Sequence, residues 1–367
     1  MDGMSRTRRA ALVAALAGAV LLLPGCDSGG GGRPGGTSSY DPDRNTQVAG
    51  DPDAGIDDIV EAGRATRIGE TGTGQVLVSY LVESDDDEGP QASAWRLYDG
   101  EGGRVAQGRG VRVSEQSASP DVWSTPDGVL LQPDWARPRW EVVRADGDVV
   151  PVTNSRAPTP TRPGDIAIDQ LRFYRPSDAT TYRYAERRPD DRRAIDITVD
   201  AGGGVWALVD WRASTIDVLH SADGGAPWDT TSFELPESGG YPDRVEAVGD
   251  TVLVPVIGGD AGDRLVALRH RPVTSTDGPW GSAALEGIDP RGWYGARVTA
   301  LPDARLVLDD ELPWIGTVAG SWRELELPDA DATYLGVVGD RVLAATFDGT
   351  GLEVSDDLGE TWTPWTR

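Results

Sequence analysis

The chain has 367 residues, of which 38% are hydrophobic and 13 are tryptophan, enough to bury a sizeable core and too apolar for a disordered polymer. Its 47 glycines and 26 prolines punctuate it too densely for long helices and favour many short strands joined by turns. All 34 basic residues are arginine, set against 60 acidic ones for a formal charge of -26, which keeps the surface soluble and excludes a nucleic-acid face, since phosphate binding needs a basic stripe.

The first 25 residues form a targeting segment. Arg6, Arg8 and Arg9 make a basic start, and Ala10 to Leu23 an apolar run too short to span a bilayer. Leu23-Pro24-Gly25-Cys26 follows, and it resembles a bacterial lipobox. That resemblance implies that Cys26, the single cysteine of the chain, is lipidated, and that the protein is held at the extracytoplasmic face of the cell membrane. Arg8-Arg9 leaves export open between the general and the twin-arginine routes. Residues 26–62 then read as a linker. Asp27 to Gly55 is rich in Gly, Pro and Asp, and such a composition buries too little apolar surface to offset the entropy of ordering. Asp41, Asp43 and Asn45 echo the start of a calcium loop, but Thr46 and Pro52 stand where its glycine and bidentate glutamate belong. No metal or cofactor is expected.

From residue 63 to 367 one pattern recurs. A short apolar run follows a glycine- or aspartate-bearing turn, with its first apolar residue at Val76, Val129, Ile166, Val205, Val252, Leu306 and Val342. The mean gap is about 44 residues, the length of four short strands and their turns, which is one blade of a β-propeller. The expectation is an all-β propeller of four-stranded antiparallel blades. Seven blades fit best, with six as the alternative because the Ile166 copy carries least of the pattern. Each anchor is read as opening the second strand of its blade. Asp-Gly turns after Trp95 and Trp140 add hairpin signals.

A second motif marks the turns further along. Ser221, Asp223, Gly225 and Trp228, and then Ser355, Asp357, Gly359, Thr361 and Trp362, share the spacing S-x-D-x-G-x-T-W, with Pro227 in place of the threonine in the first copy. Ser275 to Trp280 is a shortened version. These residues resemble the Asp-box, or bacterial neuraminidase repeat, of sialidase-like propellers. The resemblance implies a structural turn between third and fourth strands, with the tryptophan packed between blades.

Strand alternation puts the longer loops on the face opposite those turns. There QPDWARPRW, VDWRAS and LDDELPWIG bring Asp134, Trp135, Arg137, Asp210, Trp211, Arg212, Asp309, Asp310 and Trp314. GVLLQPDW and GVWALVDW align at Gly, Val, Asp and Trp, repeating an aspartate and a tryptophan in two blades. Aromatic faces beside carboxylates and arginines suit a protein or glycan ligand.

Catalytic motifs are sparse. Without lysine there is no Walker A loop, and His220 and His270 lack zinc spacing and fall on strands. A sialidase resemblance would imply an arginine triad, a tyrosine nucleophile and an R-I-P motif. The nearest stretch is Thr66-Arg67-Ile68-Gly69-Glu70. The expected function is a monomeric, non-catalytic binding or assembly module at the cell envelope, with a sialidase-like glycoside hydrolase as the alternative.

Overall fold

The computed structural model describes residues 41–365, apart from 86–88, 111–120, 135–138, 186–193, 210–213, 238, 259–263, 276–277, 286–287, 289–296, 302, 310–312 and 347–350. Seven small sheets follow one another along the chain, and the protein is a seven-bladed β-propeller. Blade one comprises residues 64–109, blade two 121–151, blade three 153–184, blade four 194–234, blade five 241–282, blade six 297–324 and blade seven 333–364.

Packing follows from strand alternation. The second strand of blade four, Val205–Val209, is buried at every position. Val205, Ala207 and Val209 join the cluster shared with blade three, whereas Trp206 and Leu208 join the cluster shared with blade five. A strand apolar on both faces is stable only between two other sheets, and each blade supplies that for the next. The described residues contain seven apolar clusters, one for each interface between neighbours round the ring.

Six of the seven anchors lie on second strands, as the sequence predicts. The exception is Ile166, which opens the first strand of blade three, Ile166–Asp169; the second strand is Arg172–Arg175. Two apolar residues between two arginines leave no apolar run to recognise. This blade is also threaded differently. Its outer strand, Thr153–Thr159, precedes the other three and pairs parallel to Thr180–Tyr184, because the chain enters along the outer edge from blade two. Arg175 is buried there with Asp165, their side chains 5% and 2% exposed. Its Nε donates to Asp165 Oδ1 at 3.0 Å and its Nη2 to Oδ2 at 2.7 Å and to the Pro160 carbonyl at 2.8 Å.

The segment read as linker is partly folded. Pro42–Gly50 forms helix α1 and Ile56–Ala62 forms helix α2. Asp41 caps α1, its carboxylate accepting from the Arg44 amide at 3.2 Å, and Pro42 opens the first turn. Ala49, Ile59 and Val60 are buried against blade one. Ile56, Ile59 and Val60 carry the helical i, i+3, i+4 spacing, but a run this short is marginal alone and the surrounding Gly, Pro and Asp conceal it. Among the described residues, the folded part therefore includes residues 41–62 ahead of the propeller strands.

Asp165→Ala leaves the Arg175 guanidinium buried without its counter-charge and is expected to cost about 3 to 5 kcal/mol in urea unfolding, with most of the loss recovered by adding Arg175→Met. A single-mutant loss below about 1 kcal/mol would show that the pair does not hold the blade.

Candidate functional site

On the turn face, the serine motifs are closed by short local bonds. Gly359 donates its amide to Ser355 Oγ at 2.7 Å, and Ser355 donates to Asp357 Oδ1 at 2.8 Å. Thr361 donates its amide to Asp357 Oδ1 at 2.7 Å and its hydroxyl to Oδ2 at 2.6 Å, bonds that hold the Asp357 carboxyl down to about 2. Gly359 sits at φ 92, a conformation costly for any residue with a Cβ. Trp362 donates its indole N–H to the Glu326 carbonyl at 3.0 Å, bridging to blade six. In blade four, Ser221 Oγ donates to the Gly225 carbonyl at 2.7 Å and the Gly225 amide to Asp223 Oδ1 at 2.9 Å; Trp228 packs on the cluster between blades three and four.

Blade five departs from the sequence reading. The ladder pairs Val205 with Ser221, Val252 with Arg271 and Val342 with Ser355, so Arg271 and not Ser275 occupies the serine position. Its Nη2 donates to the Ser275 carbonyl four residues on, the closure that Ser221 makes to the Gly225 carbonyl. The guanidinium is fully buried, 5.9 Å from the Trp206 ring and 5.7 Å from the Trp280 ring, where cation–π attraction offsets its desolvation.

On the opposite face, the second strands of blades two and four end at Asp134 and Val209. Trp135, Asp210, Trp211, Arg212 and Asp310 lie outside the described residues, as do Arg137, Cys26 and the side chains of Asp134 and Asp309. Trp314 is described and is no rim residue: it opens the third strand of blade six and is buried between blades five and six. His220 lies on the third strand of blade four with its ring 4.2 Å from that of Trp206, and burial lowers its pKa, as it does that of His270 in blade five.

A site not anticipated from the sequence lies at the axis, where first strands of neighbouring blades meet. Three rungs along from the anchor, first strands carry Arg67 opposite Ser79, Asp121 opposite Gln132, Asp196 opposite Leu208 and Arg297 opposite Asp309. Blade five breaks its ladder after Glu246, and Arg244 stands at the same distance from its turn. Blade seven has Thr333 there, opposite Ala345. Five blades thus place a charge at one level of the channel.

One pair of these charges meets across a blade boundary, and Arg244 finds its carboxylates within its own blade. Arg67 Nη2 lies 3.7 Å from Asp121 Oδ1. Arg244 donates from Nε to Asp243 at 2.8 Å and lies 3.7 Å from Glu246, and burial works against its charge while Glu246 and Asp243 outweigh it, raising its pKa. Carboxylates also cap backbone at the open inner edges. Val245 donates its amide to Asp196 Oδ2 at 3.0 Å, Val298 to Glu246 Oε2 at 2.6 Å and Gly339 to Glu70 Oε2 at 3.1 Å. For Val245 and Val298 the inner edge offers no strand partner, and a side-chain oxygen from the preceding blade serves instead, whereas Gly339 lies in the turn after the first strand of blade seven and takes its acceptor from blade one.

Burial raises the Asp196 pKa and pushes Glu246 up to about 7, with Arg244 and the Val298 amide pulling the other way. About a fifth of the Glu246 side chain (19%) remains exposed, yet protein encloses it deeply enough for desolvation to dominate. The arrangement offers carboxylate acceptors and guanidinium donors at one level of the inner strands. Among the described residues, no group of three or more His, Cys, Asp or Glu is disposed to hold a metal ion.

No family model matches the chain, and no curated protein does. Solved structures of propeller type are similar in fold. The β-propeller domain of the Trilobed protease from Pyrococcus furiosus, described as having an open velcro topology, matches at 10% identity and TM-score 0.47 over 83% of this chain and 96% of that one. A puromycin hydrolase matches at 14% identity and TM-score 0.49 over 88% of this chain and 55% of that one. YCF48 bound to D1 peptide matches at 18% identity and TM-score 0.28 over 57% of this chain and 82% of that one. At these identities the likeness extends to the fold alone.

Because the folded pKa of Glu246 lies above its unfolded value, the native state holds this proton more tightly. Its contribution is fully present below the unfolded pKa and is lost as pH rises through about 7. Glu246→Gln, which can still accept from Val298, is expected to gain thermal stability relative to wild type from pH 5 to about pH 7 and to level off above it. A difference in Tm that does not vary with pH over that range would refute the assignment.

Proposed function

We propose that the protein is a lipid-anchored propeller on the extracytoplasmic face of the cell membrane, where it acts as a non-catalytic module that binds or assembles a protein or glycan. The anchor rests on Leu23 to Cys26 and the basic and apolar segment before it. The recognition surface is the long-loop face with the channel mouth at its centre. Trp135, Trp211, Asp134, Asp210, Arg212 and Asp310 are its rim candidates, and the ligand is expected to meet aromatic faces and charges of both signs.

The observation that carries this reading is the neutralisation of the axial arginines. Arg67 faces Asp121, Arg244 lies between Asp243 and Glu246, and Arg297 feels the Glu246 carboxylate. Charges balanced in this way suit a surface that reads polar pattern more than one that concentrates positive potential on a single anion.

One feature favours a second reading, a sialidase-like glycoside hydrolase. Arg67, Arg244 and Arg297 come from first strands of three blades, and the Asp-box resemblance implies an arginine triad that grips a substrate carboxylate. Against it, each of these guanidinium groups already has a carboxylate for company, and Tyr334, near this level in blade seven, packs between blades six and seven.

Two experiments test the proposal. Cys26→Ser is expected to move the expressed protein from the membrane pellet to the soluble fraction, and persistence in the pellet would remove the lipid anchor. The domain from residue 41, immobilised, is expected to retain a ligand from native envelopes, to lose it with Trp135→Ala or Trp211→Ala, and to leave a fluorogenic sialoside intact. Turnover of the sialoside that disappears with Arg67→Ala would establish the hydrolase instead.

A further inference from the structure

The ring has a seam. Blade one is built wholly from strands near the start of the folded unit and blade seven wholly from strands at its end, with no strand of either joining the other's sheet. The six other interfaces join blades that follow directly along the chain, so only this one lacks a direct chain connection between its partners. Closure therefore depends on side chains. Gly339 donates to Glu70 Oε2 at 3.1 Å, Arg341 Nη1 to the Gly100 carbonyl at 3.0 Å, and the rings of Tyr98 and Trp365 lie 5.3 Å apart. Packing is close enough that a Cβ on Gly336 would stand 2.9 Å from Ile68 Cδ1.

The same interface is where the helices lie. One apolar cluster holds Val78, Tyr80 and Tyr98 of blade one, Leu343 and Val354 of blade seven, and Ala49, Ile59 and Val60 of α1 and α2. Polar bonds fix the helical pair to blade one around that apolar contact. Arg96 donates to Asp57 Oδ1 at 2.6 Å with Arg104 at 3.4 Å from the same atom, Arg109 donates to the Pro52 carbonyl at 3.2 Å, and the Asp85 amide donates to Thr46 Oγ1 at 3.1 Å. Asp85 follows the second strand of blade one, so the helices reach the long-loop end of the seam.

We propose that α1 and α2 form a strap that holds the propeller closed, and that the interface between blades one and seven is a gate which opens when the strap is displaced. The missing chain connection gives this interface a lower cost of separation than the others, and the strap supplies apolar burial where a shared strand would have supplied backbone hydrogen bonds. Arg67 stands on the first strand of blade one, so opening the seam widens the channel at its charged layer. The inference stands independently of the lipid anchor and of the ligand.

Hydrogen–deuterium exchange of the full chain tests it. Ile59→Ala/Val60→Ala removes the apolar grip of the strap, and Asp57→Ala removes only its ion pairs and leaves the core intact should the first variant not fold. Each is expected to accelerate exchange in residues 76–83, 91–98 and 333–345, by at least about tenfold for the double variant and less for Asp57→Ala, while residues 205–209 and 215–221 of blade four keep the wild-type rate. Unchanged exchange, acceleration confined to residues 42–62, or acceleration spread evenly round the ring would each overturn the proposal.

Discussion

The structure depends on the burial of second strands from both sides. Val76–Glu83 of blade one, Val205–Val209 of blade four and Thr251–Gly258 of blade five are almost wholly enclosed. A lone sheet with such strands would expose one apolar face, and a two-sheet sandwich would leave the outer faces uncovered. A closed ring gives each sheet two neighbours, and every one of the seven clusters draws residues from two blades. The burial accordingly stabilises the assembly of blades more than any blade taken alone.

Carboxylates are placed so that a chain of charge -26 can still close on itself. Several act locally. Asp99, Asp200, Asp223 and Asp357 each accept backbone amides within their own turns, which fixes the turn and disperses the charge into N–H dipoles. Asp196 and Glu246 act between blades, receiving amides that the inner edge leaves without a strand partner. This second use costs more, because desolvation raises the pKa of both groups. It is sustained by Arg244, whose two carboxylate neighbours keep it charged in turn. Axis and turns therefore differ in kind: at the axis, altering one charge disturbs its neighbours, while each turn carboxylate is held by the backbone of its own turn.

The seam and blade three show how the ring accommodates a chain with two ends. Blade three takes its outer strand directly from the end of blade two, and that strand pairs parallel to its neighbour Thr180–Tyr184 because it is laid down before it. Blades one and seven share no strand, and they meet through apolar side chains of both, the rings of Tyr98 and Trp365 and single hydrogen bonds, with the two helices packed on blade one in the same apolar cluster. No boundary of the ring shares a strand, and this one differs from the rest in that no chain segment links its two blades directly.

Local chemistry alone determined much of the fold. The apolar runs after turns at Val76, Val129, Val205, Val252, Leu306 and Val342 report a strand enclosed on both faces, and their spacing reports the size of a blade, because both properties are written in consecutive residues. The bonds around Ser355, Asp357 and Thr361 were legible for the same reason, spanning only seven residues. Only the tertiary structure decided that Arg271 takes the place of a serine, that Ile56, Ile59 and Val60 form the buried face of a helix in a segment composed like a linker, and that Arg67, Asp121, Asp196, Arg244 and Arg297 share one level of the channel. Those residues lie tens of positions apart, each on an ordinary short strand. Nothing near any of them in the chain indicates which blade will stand beside it, and a charge at the axis acquires its partner only when the ring closes.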